Sequence, residues 1–128
     1  MRLGYLRATQ SSMRYVWTTP TPPLRRRLAL AAAAAGRDLS AYCRLLLEQW
    51  KGLGIGVPGE PARGQRRARI RIPVGEGLHE ALRTAAARRE ITLDEATVCI
   101  LDSLCPHEVE LLAQAITNEG PGPATRRT

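Results

Sequence analysis

The sequence predicts a mainly α-helical fold carrying a short two-stranded antiparallel ribbon, in the order β-α-α-β-α-α. Three observations carry that prediction. Arg66 to Val74 alternates arginine with apolar residues; two pairs of helix patterns each follow a strand-like run; and an offset of 54 residues superposes one half of the chain on the other. In an extended strand successive side chains point to opposite faces. Ala68, Ile70, Ile72 and Val74 therefore share one face and Arg67, Arg69 and Arg71 the other. One face needs a core and the other suits anions.

Residues 1–12 have no sustained period and are expected to form an N-terminal arm. Met13 to Thr19 is rich in aromatic and β-branched residues and ends in Pro20, Pro22 and Pro23, which reads as a short strand leading into a helix. Proline is tolerated in a first helical turn. Leu24, Leu28, Ala31, Ala32 and Ala35 then recur at helical spacing until Gly36. Asp38 suits the N-cap of a second helix, with Leu39, Cys43, Leu46, Leu47 and Trp50 as its buried stripe. This first unit spans 13–50, and the Gly- and Pro-rich stretch 51–65 reads as a linker able to cover on the order of 50 Å when extended.

The second unit spans 66–105. After the arginine strand, Leu78, Leu82, Ala85 and Ala86 mark a helix, and Thr92 with Glu95 matches a capping box opening another. That helix buries Leu93, Ala96, Ile100, Leu101 and Leu104. Residues 106–128 are expected to hold a short amphipathic helix, with Val109, Leu111, Leu112 and Ile116, and a disordered tail. Across the repeat, Leu24 falls on Leu78, Leu28 on Leu82, Asp38 on Thr92 and Leu47 on Leu101. A single strand with two helices can bury neither its helix faces nor its strand edge. Two such units can pair their strands and interlock their helices around one core.

The chain has 128 residues with 19 basic and 12 acidic side chains, and all but one of the bases are Arg, a residue that favours bidentate recognition of phosphate or guanine. Three cysteines, Cys43, Cys99 and Cys105, are too few and too odd in number for a disulfide framework, which points to a reducing, cytoplasmic setting. The longest apolar run, Leu28 to Ala35, falls far short of the roughly 20 residues a membrane-spanning helix needs.

With its Arg67-Ala68-Arg69-Ile70-Arg71-Ile72-Pro73 strand, its Leu78/Leu82/Ala86 helix and its capped helix with Leu93, Ile100 and Leu101, the sequence resembles the ribbon–helix–helix family of DNA-binding proteins. The resemblance covers roughly residues 13–105, and the duplicated form resembles accessory proteins of conjugative relaxosomes. It implies a tandem ribbon–helix–helix chain forming an intramolecular pseudo-dimer. The implied function is sequence-specific binding of double-stranded DNA with the ribbon in the major groove, as a relaxosome accessory factor at a transfer origin, a transcriptional repressor, or both. Implied partners are duplex DNA, a relaxase or other relaxosome protein, and further copies side by side on DNA.

The resemblance also implies the site. Arg67, Arg69 and Arg71 would read bases; Leu39, Ser40, Leu93 and Asp94, at the starts of the second helices, would hold phosphates, with Arg37 and Arg66 beside them. For the first strand two registers are open. A strict 54-residue offset turns Met13, Tyr15 and Trp17 outward, whereas aligning Pro20 with Pro73 turns Arg14, Val16 and Thr18 outward. The second is preferred, because exposing Tyr15 and Trp17 while burying Arg14 reverses the usual burial preference. The sequence departs from the family at Glu90, which stands where a glycine is usual, and at Asp38 and Asp94, whose charges compete with a phosphate.

Plainer readings stand beside these. The arginine face could be a solvated edge strand blunted by charge, and Arg25, Arg26 and Arg27 suit a solvated helix face as well as a phosphate clamp. Gly54 to Gly59 matches GxGxxG, but no strand precedes it and Pro58 opposes a helix there. Cys105, His107 and Glu108 lack a second ligand pair for zinc. No nucleophile–base pattern is visible, so neither an enzyme nor a cofactor is expected. The competing function class is an antitoxin-type interaction module whose C-terminal segment neutralises a toxin.

Overall fold

The computed structural model describes residues 13–61 and 69–119. The expected N-terminal arm, the strand positions Arg66, Arg67 and Ala68, and the tail beyond Glu119 lie outside the described residues. Over the described residues the chain is mainly helical with one two-stranded antiparallel sheet. Strand β1, Met13–Thr18, is followed by α1, Pro22–Ala34, and α2, Leu39–Leu53. Strand β2, Ile70–Gly75, is followed by α3, Glu76–Arg89, α4, Leu93–Leu104, and α5, Glu108–Glu119.

Local chemistry repeats at the offset read from the sequence. Asp38 caps α2 by accepting from the Ala41 N–H at 2.7 Å, and Thr92 caps α4 by accepting from the Glu95 N–H at 3.0 Å. The Glu95 carboxylate accepts the Thr92 N–H in return, which completes the capping box. The helix ends match as well. Gly36 N–H reaches the Ala33 carbonyl and Arg37 N–H the Ala32 carbonyl; Glu90 N–H reaches Ala87 and Ile91 N–H reaches Ala86. Both are Schellman ends, which need a left-handed residue. Gly36 supplies it with φ 68° and Glu90 with φ 57°, a conformation unfavourable for a residue with a Cβ. The sequence departure at Glu90 is thus a real backbone cost.

The strands pair with Val16 opposite Ile72, Thr18 opposite Ile70 and Trp17 opposite Arg71. Helix α2 packs against β2 and α4 against β1, so each half lays its second helix on the strand of the other; α2 and α4 also meet directly. Leu28, Leu47, Leu82, Ile100 and Leu101 are fully buried in this shared core. Each such side chain contributes about 1.5–3 kcal/mol of transfer free energy.

One expected boundary moves. Residues 51–53, assigned to the linker, extend α2, because Gly54 at φ 69° is the first residue to leave the helical conformation. The linker is also docked where it is described: Val57 is buried, Trp50 Nε1 donates to the Gly56 carbonyl at 3.0 Å, and Arg89 donates to the Val57 and Gly59 carbonyls at 2.6 and 3.0 Å. Helix α5 packs on α1, where Arg27 donates to Asp102 at 2.5 Å, to its carbonyl at 3.0 Å, and to the Cys105 and Pro106 carbonyls at 2.7 and 3.2 Å. These bonds satisfy carbonyls left open at the end of α4. Arg26 meets Glu108 at 3.2 Å. Arg26 and Arg27 therefore fasten α1 to the end of α4 and the start of α5.

Candidate nucleic-acid interface

The ribbon has one face in the core and one in solvent. Ile70, Ile72 and Val74 are buried, while Arg69 and Arg71 are exposed, as the alternation required. On β1 the preferred register is overturned. Val16 and Thr18 are buried, and Tyr15 and Trp17 stand out at 46% and 50% exposure. Arg14 shares the inner side of the strand but sits near its end, exposed, 4.0 Å from the Glu76 carboxylate.

The strict offset is the correct one, and the two prolines are not equivalent. Pro73 lies inside β2 opposite Tyr15, where a two-stranded ribbon tolerates a missing N–H on an open edge. Pro20 follows β1 and is buried. The burial preference fails for a further reason: the rings are not bare. Arg69 lies over the Trp17 ring, 5.0 Å from its centroid, and Arg71 over the Tyr15 ring at 4.6 Å. Each is a diagonal cross-strand pair, within reach for long side chains, and a guanidinium over an aromatic face is attractive.

The predicted phosphate positions separate into two unlike ends. At the start of α2, Leu39 is partly buried against the core and Ser40 donates its hydroxyl to the Arg71 carbonyl. An open cleft of about 700 Å³ adjoins it, lined by Tyr15, Arg37, Ser40, Arg44, Arg71 and Pro73 among others. No acidic residue occupies the first turn of α2. Asp38, at the N-cap, holds the Ala41 N–H, and Arg44 pairs with Glu48 at 2.9 Å.

At the start of α4, Leu93 packs partly buried and Asp94 has a structural task. Its carboxylate accepts from Thr18 Oγ1 at 3.0 Å, from the Thr19 N–H at 3.0 Å and from Thr19 Oγ1 at 2.6 Å. Asp94 and Glu95 make this helix start acidic. Held by Thr18 and Thr19 in this way, the Asp94 carboxylate puts negative charge at the helix end that favours anions, where it competes with a phosphate. Arg66 and Arg67 lie outside the described residues. Arg37 is exposed and lines the α2 cleft.

Sequence reasoning undervalues Tyr15 and Trp17 and does not single out Arg44. The strict repeat offset is the signal for the first two; only folding brings Arg44 beside Arg71. The buried thiols are poor nucleophiles, since burial pushes Cys43 up to about 12 and raises Cys99 and Cys105 above the ordinary thiol value. Among the described residues no three His, Cys, Asp or Glu side chains gather as a metal site, and no helix is long and apolar enough to cross a membrane. No family model, curated protein or solved structure matches this chain.

Proposed function

We propose that the chain is a tandem ribbon–helix–helix protein whose halves form an intramolecular pseudo-dimer, and that it binds double-stranded DNA sequence-specifically through the outward face of the ribbon. The observation that carries the reading is the pair Arg69 and Arg71, held over Trp17 and Tyr15 on one exposed sheet face. Side chains stand roughly perpendicular to a sheet, so a guanidinium stacked on such a ring keeps its N–H edge free. Guanine offers O6 and N7 to that edge in the major groove. A net charge of +7 supplies sequence-independent attraction to phosphates.

The cellular setting of this reading is a cytoplasmic relaxosome accessory factor at a transfer origin, a repressor, or both, with no catalysis of its own. Because β1 and β2 carry different residues, one chain should prefer an asymmetric site, unlike the palindrome of a homodimer. Selection from random duplex DNA followed by fluorescence anisotropy tests it. Arg71→Ala should weaken the selected duplex at least about tenfold and relax one guanine position. Unchanged affinity in an Arg69→Ala/Arg71→Ala double variant would refute the reading.

A second reading has its own support. Val109, Leu112 and Ile116 form an exposed apolar stripe on α5, while Leu111 is buried. That stripe suits an antitoxin-type module whose C-terminal helix covers a protein. A small partner copurifying stoichiometrically with the full chain, and lost in Val109→Asp/Ile116→Asp, would favour it.

A further inference from the structure

Resting on the duplex reading above, we propose that the ribbon reads two kinds of base with its two sides: guanine with Arg71 of β2 and Arg69 just before it, and the 5-methyl group of thymine with Tyr15 and Trp17 of β1. Two large rings left about half exposed two positions apart on a cationic face form an apolar patch rimmed by charge, the kind of patch that marks an interaction site. In a paired duplex the faces of the bases are covered by stacking. What the major groove offers is edges, and its one apolar group is the thymine methyl.

The geometry divides the work. The arginines lie over the half-exposed rings, so guanidinium donors and ring carbons are offered side by side on the outer sheet face. Tyr15 and Trp17 are two positions apart on one strand, as are Arg69 and Arg71, a separation of about 6.6 Å along a strand. Base pairs rise about 3.4 Å each, so each strand should sample bases roughly two steps apart. Trp17 lies directly opposite Arg71 and joins the two readouts at one cross-strand pair. The preferred site therefore carries guanines towards the β2 side and thymines towards the β1 side.

Replacing thymine by deoxyuridine removes the methyl and leaves base pairing intact, so the test needs no protein variant at first. A duplex enriched by the full chain from a random pool is remade with deoxyuridine at each thymine in turn and titrated by fluorescence anisotropy. At one or two thymines wild-type affinity should fall about fourfold, the value of one buried methyl. Trp17→Ala should cancel the effect at one of them and Tyr15→Ala at the other, while Trp17→Phe retains it. Thermal unfolding of each variant checks that it folds.

If the wild type tolerates deoxyuridine everywhere while guanine substitutions still cost affinity, thymine reading is wrong and the duplex reading stands. An enriched site without thymine leads to the same conclusion. Tighter binding to single-stranded oligo(dT) than to the duplex, with Trp17 quenching, would mean that the rings stack on base faces, and would also overturn it. No binding to any duplex would remove both readings together.

Discussion

At residue 40 the first half of the chain places a hydroxyl that donates to the Arg71 carbonyl; at residue 94, the same place in the second half, stands a carboxylate that takes three hydrogen bonds from Thr18 and Thr19. Both side chains start a helix and tie it to the strand of the other half. The skeletal task is shared and the electrostatic result is not. The α2 start opens on a cleft with Arg37, Arg44 and Arg71 nearby, whereas the α4 start carries Asp94 and Glu95. The two helix starts thus share their backbone geometry while their polar side chains diverge. An asymmetric ligand is expected from that divergence more than from any difference in fold.

The largest expected effect concerns how each half fastens the segment after its second helix. Arg27 of α1 holds the end of α4, with a side chain only 14% exposed and four hydrogen bonds. Arg89 of α3 holds the linker through Val57 and Gly59 and is more open. Hydrogen bonds to a charged donor contribute more than neutral ones, and their loss strands partly buried carbonyls. Arg27→Ala should destabilise by about 3 kcal/mol and Arg89→Ala by about 1 kcal/mol in chemical denaturation. Equal losses would show that the two fastenings are equivalent after all.

Next in size is the exchange between positions 40 and 94. Asp94→Ala should cost about 2 kcal/mol, because the Thr18 hydroxyl is buried and loses its carboxylate acceptor. Ser40→Ala should cost about 1 kcal/mol, because a carbonyl loses one neutral donor. Equilibrium unfolding measures both. If Ser40→Ala proved the more damaging, the asymmetry between the helix starts would run the other way.

Much of this skeleton is legible in the sequence because it depends on spacing. The offset, the caps at Asp38 and Thr92, the apolar stripes and the alternation of Arg69, Ile70, Arg71 and Ile72 are periodic properties that tertiary structure cannot easily override. The β1 face is misread when Pro20 and Pro73 are aligned as punctuation, since one follows a strand and the other lies within it. General burial preference cannot anticipate that Arg69 and Arg71 cover Trp17 and Tyr15. The tasks of Arg27, Asp94 and Arg89 join residues distant in sequence. Each residue alone looks like an ordinary surface charge, so only the folded chain distinguishes them.

The two helix-ending turns offer a comparison at smaller scale, since Gly36 and Glu90 adopt nearly the same left-handed conformation. A Cβ at Gly36 meets nothing within 4 Å, so the cost of a side chain there is one of backbone alone. Glu90→Gly should therefore stabilise the chain by about 1 kcal/mol and Gly36→Ala should destabilise it by about the same amount. Thermal unfolding reads both, and a neutral Glu90→Gly would mean that the Glu90 side chain makes compensating contacts.

The smallest effect separates Cys43 from Thr97, buried positions that correspond across the repeat. Thr97 returns its hydroxyl to the Leu93 carbonyl at 2.8 Å and does not titrate; Cys43 is held protonated by burial, with a thiol pushed from 9.0 to about 12. Because the folded state keeps this proton longer than the unfolded chain, the contribution is fully present below pH 9.0 and is lost as pH rises towards about 12. At pH 9.5 the loss from this group should stay under about 1 kcal/mol. Cys43→Thr brings in the side chain of the other half and should remove that part of the slope, as measured by denaturant midpoints between pH 8 and 9.5. An unchanged slope would place the alkaline sensitivity in Cys99, Cys105 or Tyr42, whose burial raises them in the same direction.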